Sequence, residues 1–252
     1  MNSISRVQHN VAHWKTNRLI LSNTYRQLNP DIILINSHGL PDTEPIKLHG
    51  YNTYQNNSSG GLHDGSAILI KSNIQHKMDD NFITDCILVT IHTNTGPINI
   101  ATTYLQPRRP YLPYPDIHQI ASNNAPTYII GDLNAKHNYL GDNYNNRVGA
   151  ALKHLIDRNL IRHLGPNFPT FFSYNSSTNP DIILSNKHTY HNTKVEAGPV
   201  TASDHIPIIF TITSKAITAP VFPRPNLKLA DWDQSSSQFL PQLLLSTPLP
   251  NN

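Results

Sequence analysis

The chain has a single cysteine in 252 residues, which excludes an internal disulfide and any multi-cysteine zinc site. Cys86 lies in the apolar run Cys86-Ile-Leu-Val-Thr-Ile91 and reads as a small buried hydrophobe. Charge is scarce too: only 14% of residues are Asp, Glu, Lys or Arg. No Lys/Arg run exists, and the densest basic spot is Arg108-Arg109. A formal net charge of +3 tolerates a polyanionic partner without arguing for one. No apolar stretch reaches the length of a membrane span, and Met1-Asn-Ser-Ile-Ser-Arg6 lacks the apolar core of a signal peptide. The expectation is an intracellular, reducing setting with no membrane partner.

Hydrophobic residues make up 38% of the chain, and Asn, Ser, Thr and Pro fill the gap. Disorder usually pairs low hydrophobicity with high net charge; here the charge is low, as in a globular domain with a polar surface and long loops. The length allows one large domain or two small ones with a real core. Short β-branched runs predict strands at Asp31–Ile35, Ser66–Ile70, Cys86–Ile91, Ile98–Tyr104, Thr127–Ile130, Asp181–Leu184 and Ile206–Thr213. Helical spacing predicts Asn17–Leu28, which carries Leu19, Leu21, Tyr25 and Leu28, and Asn146–Asn159. Asp116–Ile120 is a third, short candidate. Several strand pairs have links too short for a crossover helix, so an α+β sandwich is favoured over a doubly wound parallel sheet. The run Asn29-Pro-Asp-Ile-Ile-Leu-Ile35 recurs as Asn179-Pro-Asp-Ile-Ile-Leu-Ser185, as two related halves of a sandwich would leave it. From about Ser214, Pro220, Pro223 and Pro225 predict an extended linker. The division expected is a domain at 1–213 and a poorly packed tail at 214–252.

The segment with most chemistry is Tyr128-Ile-Ile-Gly-Asp-Leu-Asn-Ala-Lys-His137. An apolar run ends in a Gly turn and then presents a carboxylate, an amide and an imidazole at Asp132, Asn134 and His137. Polar side chains at the end of a buried strand are how α/β proteins build reactive sites. On extended backbone Asp132 and Asn134 would point to one side. An Asx-type turn is the ordinary alternative. Further along, the chain offers Asn10 in Gln8-His-Asn10, Tyr104 in Thr102-Thr-Tyr104, Asp181 opening the echoed run, and Asp204-His205 just before the last apolar run. Arg108-Arg109 with Tyr111 and Tyr114 is an Arg-plus-aromatic loop suited to a DNA backbone or to solvent alike.

The order Asn10, Tyr104, Asp132, Asn134, Asp181, Asp204, His205, with the wording GDLNAKH, FPTF (Phe168–Phe171), NPDIILSN and SDHIPI, resembles the endonuclease/exonuclease/phosphatase superfamily. It is most similar to the apurinic-type endonuclease domain of non-LTR (LINE-type) retrotransposons. The stretch PRPNLKLADWD resembles the linker that such polyproteins carry before a C-terminal reverse transcriptase domain. The resemblance covers residues 4 to about 213 and that linker. It implies a DNase I-like four-layer α/β sandwich, two packed mixed β-sheets flanked by helices, that hydrolyses a DNA phosphodiester with Mg²⁺ or Mn²⁺, and action in the nucleus. By motif, Asp132 would deprotonate or orient the attacking water, and Asn134 and Tyr104 would hydrogen-bond the phosphate. His205 would stabilise charge on phosphorus with Asp181 fixing its tautomer, and Asp204 and Asn10 would sit at the metal. Arg108, Arg109 and His137 would face substrate.

One departure stands out. Where the family runs Gln-Glu-Thr after the strand like Asp31–Ile35, with that Glu as the principal metal ligand, this chain reads Asn36-Ser37-His38. A neutral hydroxyl is a far poorer Mg²⁺ ligand than a carboxylate. Three readings follow: a catalytically inactive DNA-binding relic, a substitute carboxylate such as Asp64, or a metal held more weakly by Asp204 with phosphate and water. Asp64-Gly65 is equally an ordinary turn dipeptide. A phosphoesterase of small phosphates on the same fold is a further alternative.

Overall fold

The computed structural model describes residues 3–57, 61–79, 86–109 and 111–219. In chain order the first elements are β1 (Ile4–Asn10), α1 (Trp14–Leu28), β2 (Ile32–Asn36), β3 (Tyr51–Asn56), β4 (Ser66–Lys71) and β5 (His76–Asp79). Then come β6 (Ile87–Thr93), β7 (Gly96–Thr102), α2 (Tyr114–Ala121), β8 (Thr127–Asp132) and α3 (Arg147–Asp157). The last are β9 (Ile161–Gly165), β10 (Phe171–Ser173), β11 (Ser176–Thr178), β12 (Asp181–Asn186), β13 (Thr193–Ala197) and β14 (Ile208–Ile212). One six-stranded sheet has the order β13-β14-β1-β2-β4-β3, the other β5-β6-β7-β8-β12-β9. Both are mixed: β1 runs parallel to β2 and β7 parallel to β8, while the other pairs are antiparallel.

Strand alternation sends successive side chains to opposite faces, and here it sorts the core into three slabs. Val7, Ile33, Ile35 and Leu69 pack on Trp14, Leu21 and Tyr25 of α1. Ile32, Leu34, Ile68 and Ile70 meet Val89, Ile91, Ile98, Ile100, Ile130 and Ile183 between the sheets. Ala101, Ile129, Ile182 and Leu184 pack under Ile117 and Ile120 of α2 and Val148, Leu152 and Leu155 of α3. Each such Leu or Ile stabilises by about 1.5–3 kcal/mol through burial. Helix, sheet, sheet, helix is the four-layer sandwich expected.

The helices start and stop for local reasons. The Asn146 side chain accepts from Gly149 N and caps α3. Asn29, left-handed at φ 46, closes α1 just before Pro30. Of the apolar residues expected in this helix, Leu19 is 73% exposed; the helix begins three residues earlier, at Trp14, which packs with Leu21 and Tyr25. The sandwich also continues beyond residue 213. Ile74 bridges Thr218, Thr93 bridges Ala216, and Ala219 N donates to Asn73 O. The expected Pro-rich tail from residue 220 lies outside the described residues.

The inward face of β1 is Ile4, Arg6, Gln8 and Asn10, a ladder rising from the core to the rim. Arg6 is fully buried, with its guanidinium over the Tyr128 ring at 5.8 Å and the Phe210 ring at 5.4 Å. Its one hydrogen bond goes to Ile4 O at 3.4 Å, and Nε and Nη2 have no partner among the described residues. Burial pulls its pKa down to about 9. An unpaired buried charge destabilises the fold, so Arg6→Met should raise unfolding stability by about 1–4 kcal/mol. Urea denaturation checks this, and a lower midpoint for the Met variant would contradict it.

Candidate active site

Strand ends from both sheets form one rim. The register pairs Asn10 with Asn36 at the ends of β1 and β2, and Asp181 with Asp132 where β12 begins and β8 ends. Because β14 pairs antiparallel with β1, the chain preceding β14 lies beside Asn10: the Ser203 hydroxyl donates to Asn10 O at 2.7 Å. Gly131 makes the close approach possible. A Cβ there would fall 2.1 Å from Thr103 O, so only glycine lets the segment after β7 reach the rim. Leu105 N then donates to Asp132 O.

At the centre, His205 lies between two carboxylates. Its Nδ1 is 2.7 Å from Asp181 Oδ2 and its Nε2 is 4.0 Å from Asp132 Oδ2. Asp181 is fully buried and accepts two further hydrogen bonds: Gln8 Nε2 donates to Oδ1 at 2.7 Å, and the Thr170 hydroxyl donates to Oδ2 at 2.7 Å beside the imidazole. Burial alone would raise the Asp181 pKa, but His205 and these donors hold it below the usual range. Burial likewise would lower His205, yet Asp181 first, then Asp132 and Asp204, push it up to about 9. Asp132 goes the other way. Burial, reinforced by the Asp181 charge, raises it to about 7, with His205, Asn10 and the Asn134 amide opposing. A buried carboxylate near 7 facing an imidazolium near 9 is a poised acid–base pair at neutral pH.

The other expected residues divide. Asn10 Nδ2 donates to Asp132 Oδ2 at 2.8 Å, so it holds the carboxylate. Tyr104 is buried, with its hydroxyl hydrogen-bonded to the Ser37 side chain; burial and then Asp132 raise its pKa. Asn134 departs from the extended geometry expected. At φ 45 it is left-handed, which turns its amide away to donate to Leu105 O at 2.8 Å while its backbone N–H donates to Asp132 Oδ1. Asp204 is exposed at the rim beside His205. His137 lies off the constellation: Nδ1 accepts from Tyr139 N and caps a 3₁₀ turn at Asn138–Leu140. Arg108 is exposed, and Arg109 leans toward Asp64, Nη2 to Oδ2 3.9 Å. Sequence reasoning gave no role to Gln8 or Thr170. Gln8 stands in the run Gln8-His-Asn10, two residues before Asn10 on the same inward face; Thr170 stands in the FPTF motif, next to Phe171, which pairs with His205.

Asp132, Asp181 and His205 place three ligand-type atoms within 4.8 Å of one another, a cluster of the acidic/His kind that could hold a metal. Their bonding fits a proton relay better. Both Asp181 oxygens are occupied by donors, and an imidazolium has no lone pair to give. At the position where the resemblance implies a Glu, Ser37 is buried, left-handed at φ 56, and tied to Tyr104. Asp64, the nominated substitute, accepts from Gly65 N and from Gln106 Nε2, both at 2.8 Å. The residues present therefore do not fit a resident hard cation held by protein carboxylates alone.

Comparison with known proteins bears on this rim. A family model described as endonuclease-reverse transcriptase matches residues 98–209. The RNA-directed DNA polymerase from mobile element jockey of Drosophila funebris is 26% identical over 202 residues, 76% of this chain but 22% of that protein. The chain thus spans about a fifth of the length of this relative. Among solved structures, the endonuclease domain of TRAS1, a telomere-specific non-LTR retrotransposon, superposes with a TM-score of 0.68 at 18% identity, covering 83% of this chain and 98% of that one. The Xenopus laevis APE2 catalytic domain gives 0.64 at 16%, covering 86% and 94%. At these identities the superpositions speak for the fold.

The charge balance at His205 is directly measurable. Asp181→Asn removes the anion that outweighs burial, so the imidazole pKa should fall from about 9 to its ordinary 6.5 or below. Proton or ¹⁵N NMR titration of His205 reads this; an unmoved value would mean that Asp181 is not its counter-ion.

Proposed function

We propose that this chain, which resembles the endonuclease/exonuclease/phosphatase superfamily, is a DNA endonuclease hydrolysing a phosphodiester, the nicking activity of a LINE-type retrotransposon. One observation carries the proposal: Asp132 and His205 face each other 4.0 Å apart, with Asn10 behind the first and Asp181 behind the second. That gap suits a water and a phosphate oxygen side by side. Asp132, ionised above about 7, takes a proton from the water as its oxygen bonds phosphorus. Charge grows on the non-bridging oxygens, and the His205 Nε2–H, with Tyr104 nearby, donates to them. The P–O3′ bond breaks, the 3′-oxygen takes a proton from a solvent water, and a 3′-hydroxyl and a 5′-phosphate remain. A 3′-hydroxyl is the primer that reverse transcription needs, which suits the polymerase domain of the longer relatives. Mg²⁺ or Mn²⁺ is expected from the family, and action on chromosomal DNA would place the protein in the nucleus.

Ser37 favours a second reading, a silent DNA-binding relic. The intact Asp181–His205–Asp132 set speaks for activity instead, because a relic under no constraint has no reason to keep a buried, costly charge network. Nicking of supercoiled plasmid with Mg²⁺ or Mn²⁺ separates the two. Active protein should lose about 10³-fold on Asp132→Asn or His205→Ala. Nicking that survives both substitutions belongs to a contaminant, and hydrolysis of soluble phosphate esters without nicking would favour the small phosphoesterase.

The pH profile follows from the same two groups. Activity needs Asp132 unprotonated and His205 protonated, so it should rise through about 7 and fall through about 9. A rate that declines near 6.5, the ordinary imidazole value, would remove His205 from the protonated role.

A further inference from the structure

We infer that this site takes its divalent cation only together with the phosphodiester, as a ternary complex, and does not load an ion beforehand. The inference deepens the nuclease reading and starts from the donor atoms around the rim. Asp132 Oδ1 accepts from Asn134 N at 3.0 Å and Oδ2 from Asn10 Nδ2 at 2.8 Å. Asp181 Oδ1 accepts from Gln8, and Oδ2 from Thr170 and His205, each at 2.7 Å. Asp64 Oδ1 and Oδ2 accept from Gly65 N and Gln106 Nε2, and Arg109 stands 3.9 Å away. Asn10 Oδ1 accepts from Ala12 N at 3.1 Å. The carboxylate position that Ser37 occupies is filled by a neutral hydroxyl turned to Tyr104. Asp204 is the carboxylate at this rim that faces solvent.

A hard cation asks for several oxygen ligands and keeps its waters when the protein offers one carboxylate. One solvated carboxylate holds such an ion with a Kd of about 1 mM or weaker. A phosphodiester would bring an anionic oxygen to the same rim, within reach of the His205 Nε2–H as donor, and so complete the ligand set. Linkage then requires reciprocity: DNA must tighten the ion by the factor by which the ion tightens DNA.

Electron paramagnetic resonance of free Mn²⁺ tests this on the whole chain. Samples contain protein alone, a short DNA duplex alone, and both at 4 °C, with strand integrity checked on a gel. The expected result is no binding by the protein alone below about 1 mM. With duplex present, about one extra ion per complex should appear beyond the sum of the separate samples, at least about tenfold tighter. Duplex affinity, read by fluorescence anisotropy, should rise by the same factor on adding Mn²⁺. Ser37→Asp, a residue type that tolerates left-handed backbone, should acquire Mn²⁺ binding without DNA. Tight binding by the wild-type chain alone, or no extra ion with DNA, overturns the inference whether or not that variant folds. Ternary binding in a chain that never nicks plasmid would uphold the inference and remove the nuclease reading; tight lone-ion binding in a chain that does nick would do the reverse.

Discussion

The Asp181–His205 hydrogen bond is the constraint from which the rim takes its form. A carboxylate with no exposure to solvent can stay ionised only if donors and a cation surround it. Asp181 has Gln8 from the first sheet, Thr170 from the segment before β10, and His205 from the segment before β14. Three chain segments far apart in sequence are thereby fixed to one point. The same bond selects the imidazole geometry: Nδ1 is committed to Asp181, so Nε2 is the nitrogen turned to Asp132 and to any phosphate. Without that anion, burial would leave His205 neutral and its Nε2 unable to serve as a charged donor.

The sandwich has to accept polar groups between its sheets to make this arrangement. Gln8 and Asn36 are fully buried, and they link to each other, to Asp181 and to the Asp132 backbone. A connected network of this kind is tolerable because nearly every member is satisfied. Gln8 Oε1 lacks a partner among the described residues, and Arg6, one step deeper on β1, has two such nitrogens. The strand that delivers Gln8 and Asn10 to the site thus carries unsatisfied buried polar atoms directly beneath it.

What the sequence made legible follows the physics of burial. Central strands such as β2, β4, β8 and β12 are apolar on both faces, and their Val, Ile and Leu runs announce them. The edge strands β3, β5, β9 and β13 are half-solvated and polar, as in Thr193-Lys-Val-Glu-Ala197, and they have no such run. Central β1 escaped for another reason: its inward face is Arg6, Gln8 and Asn10, so alternation reads backwards. The site residues were legible as a constellation because Asp132, Asp181 and His205 flank strands in a distinctive order. Their geometry was less so. Asn134 was expected beside Asp132 on extended backbone, but its left-handed φ of 45 sends the amide to Leu105 O, a local hydrogen-bonding choice that Asn makes readily. Asp64 was a reasonable metal candidate by residue type, and only its neighbours Gln106 and Arg109 show its charge already engaged.

Charge arithmetic at the rim explains why the missing carboxylate matters in an unexpected direction. Asp181 and Asp132 contribute up to two negative charges against one imidazolium, and Asp204 adds a third anion beside it. A phosphodiester approaching this rim meets net negative charge, and no Arg or Lys contacts Asp132 or His205 among the described residues. A family-type Glu at position 37 would make the repulsion worse unless a cation accompanied it. With Ser37 the anionic load is one unit lower than with a Glu, so on the proposed reading DNA would reach the rim with less opposition before any ion arrives. Raising Asp132 to about 7 works to the same end, because near neutral pH a substantial fraction of sites carry it protonated. On the proposed reading, a Ser in place of a Glu at position 37 would weaken ion capture and ease capture of an anionic substrate together, and the order in which the two bind would follow from the electrostatics of this rim.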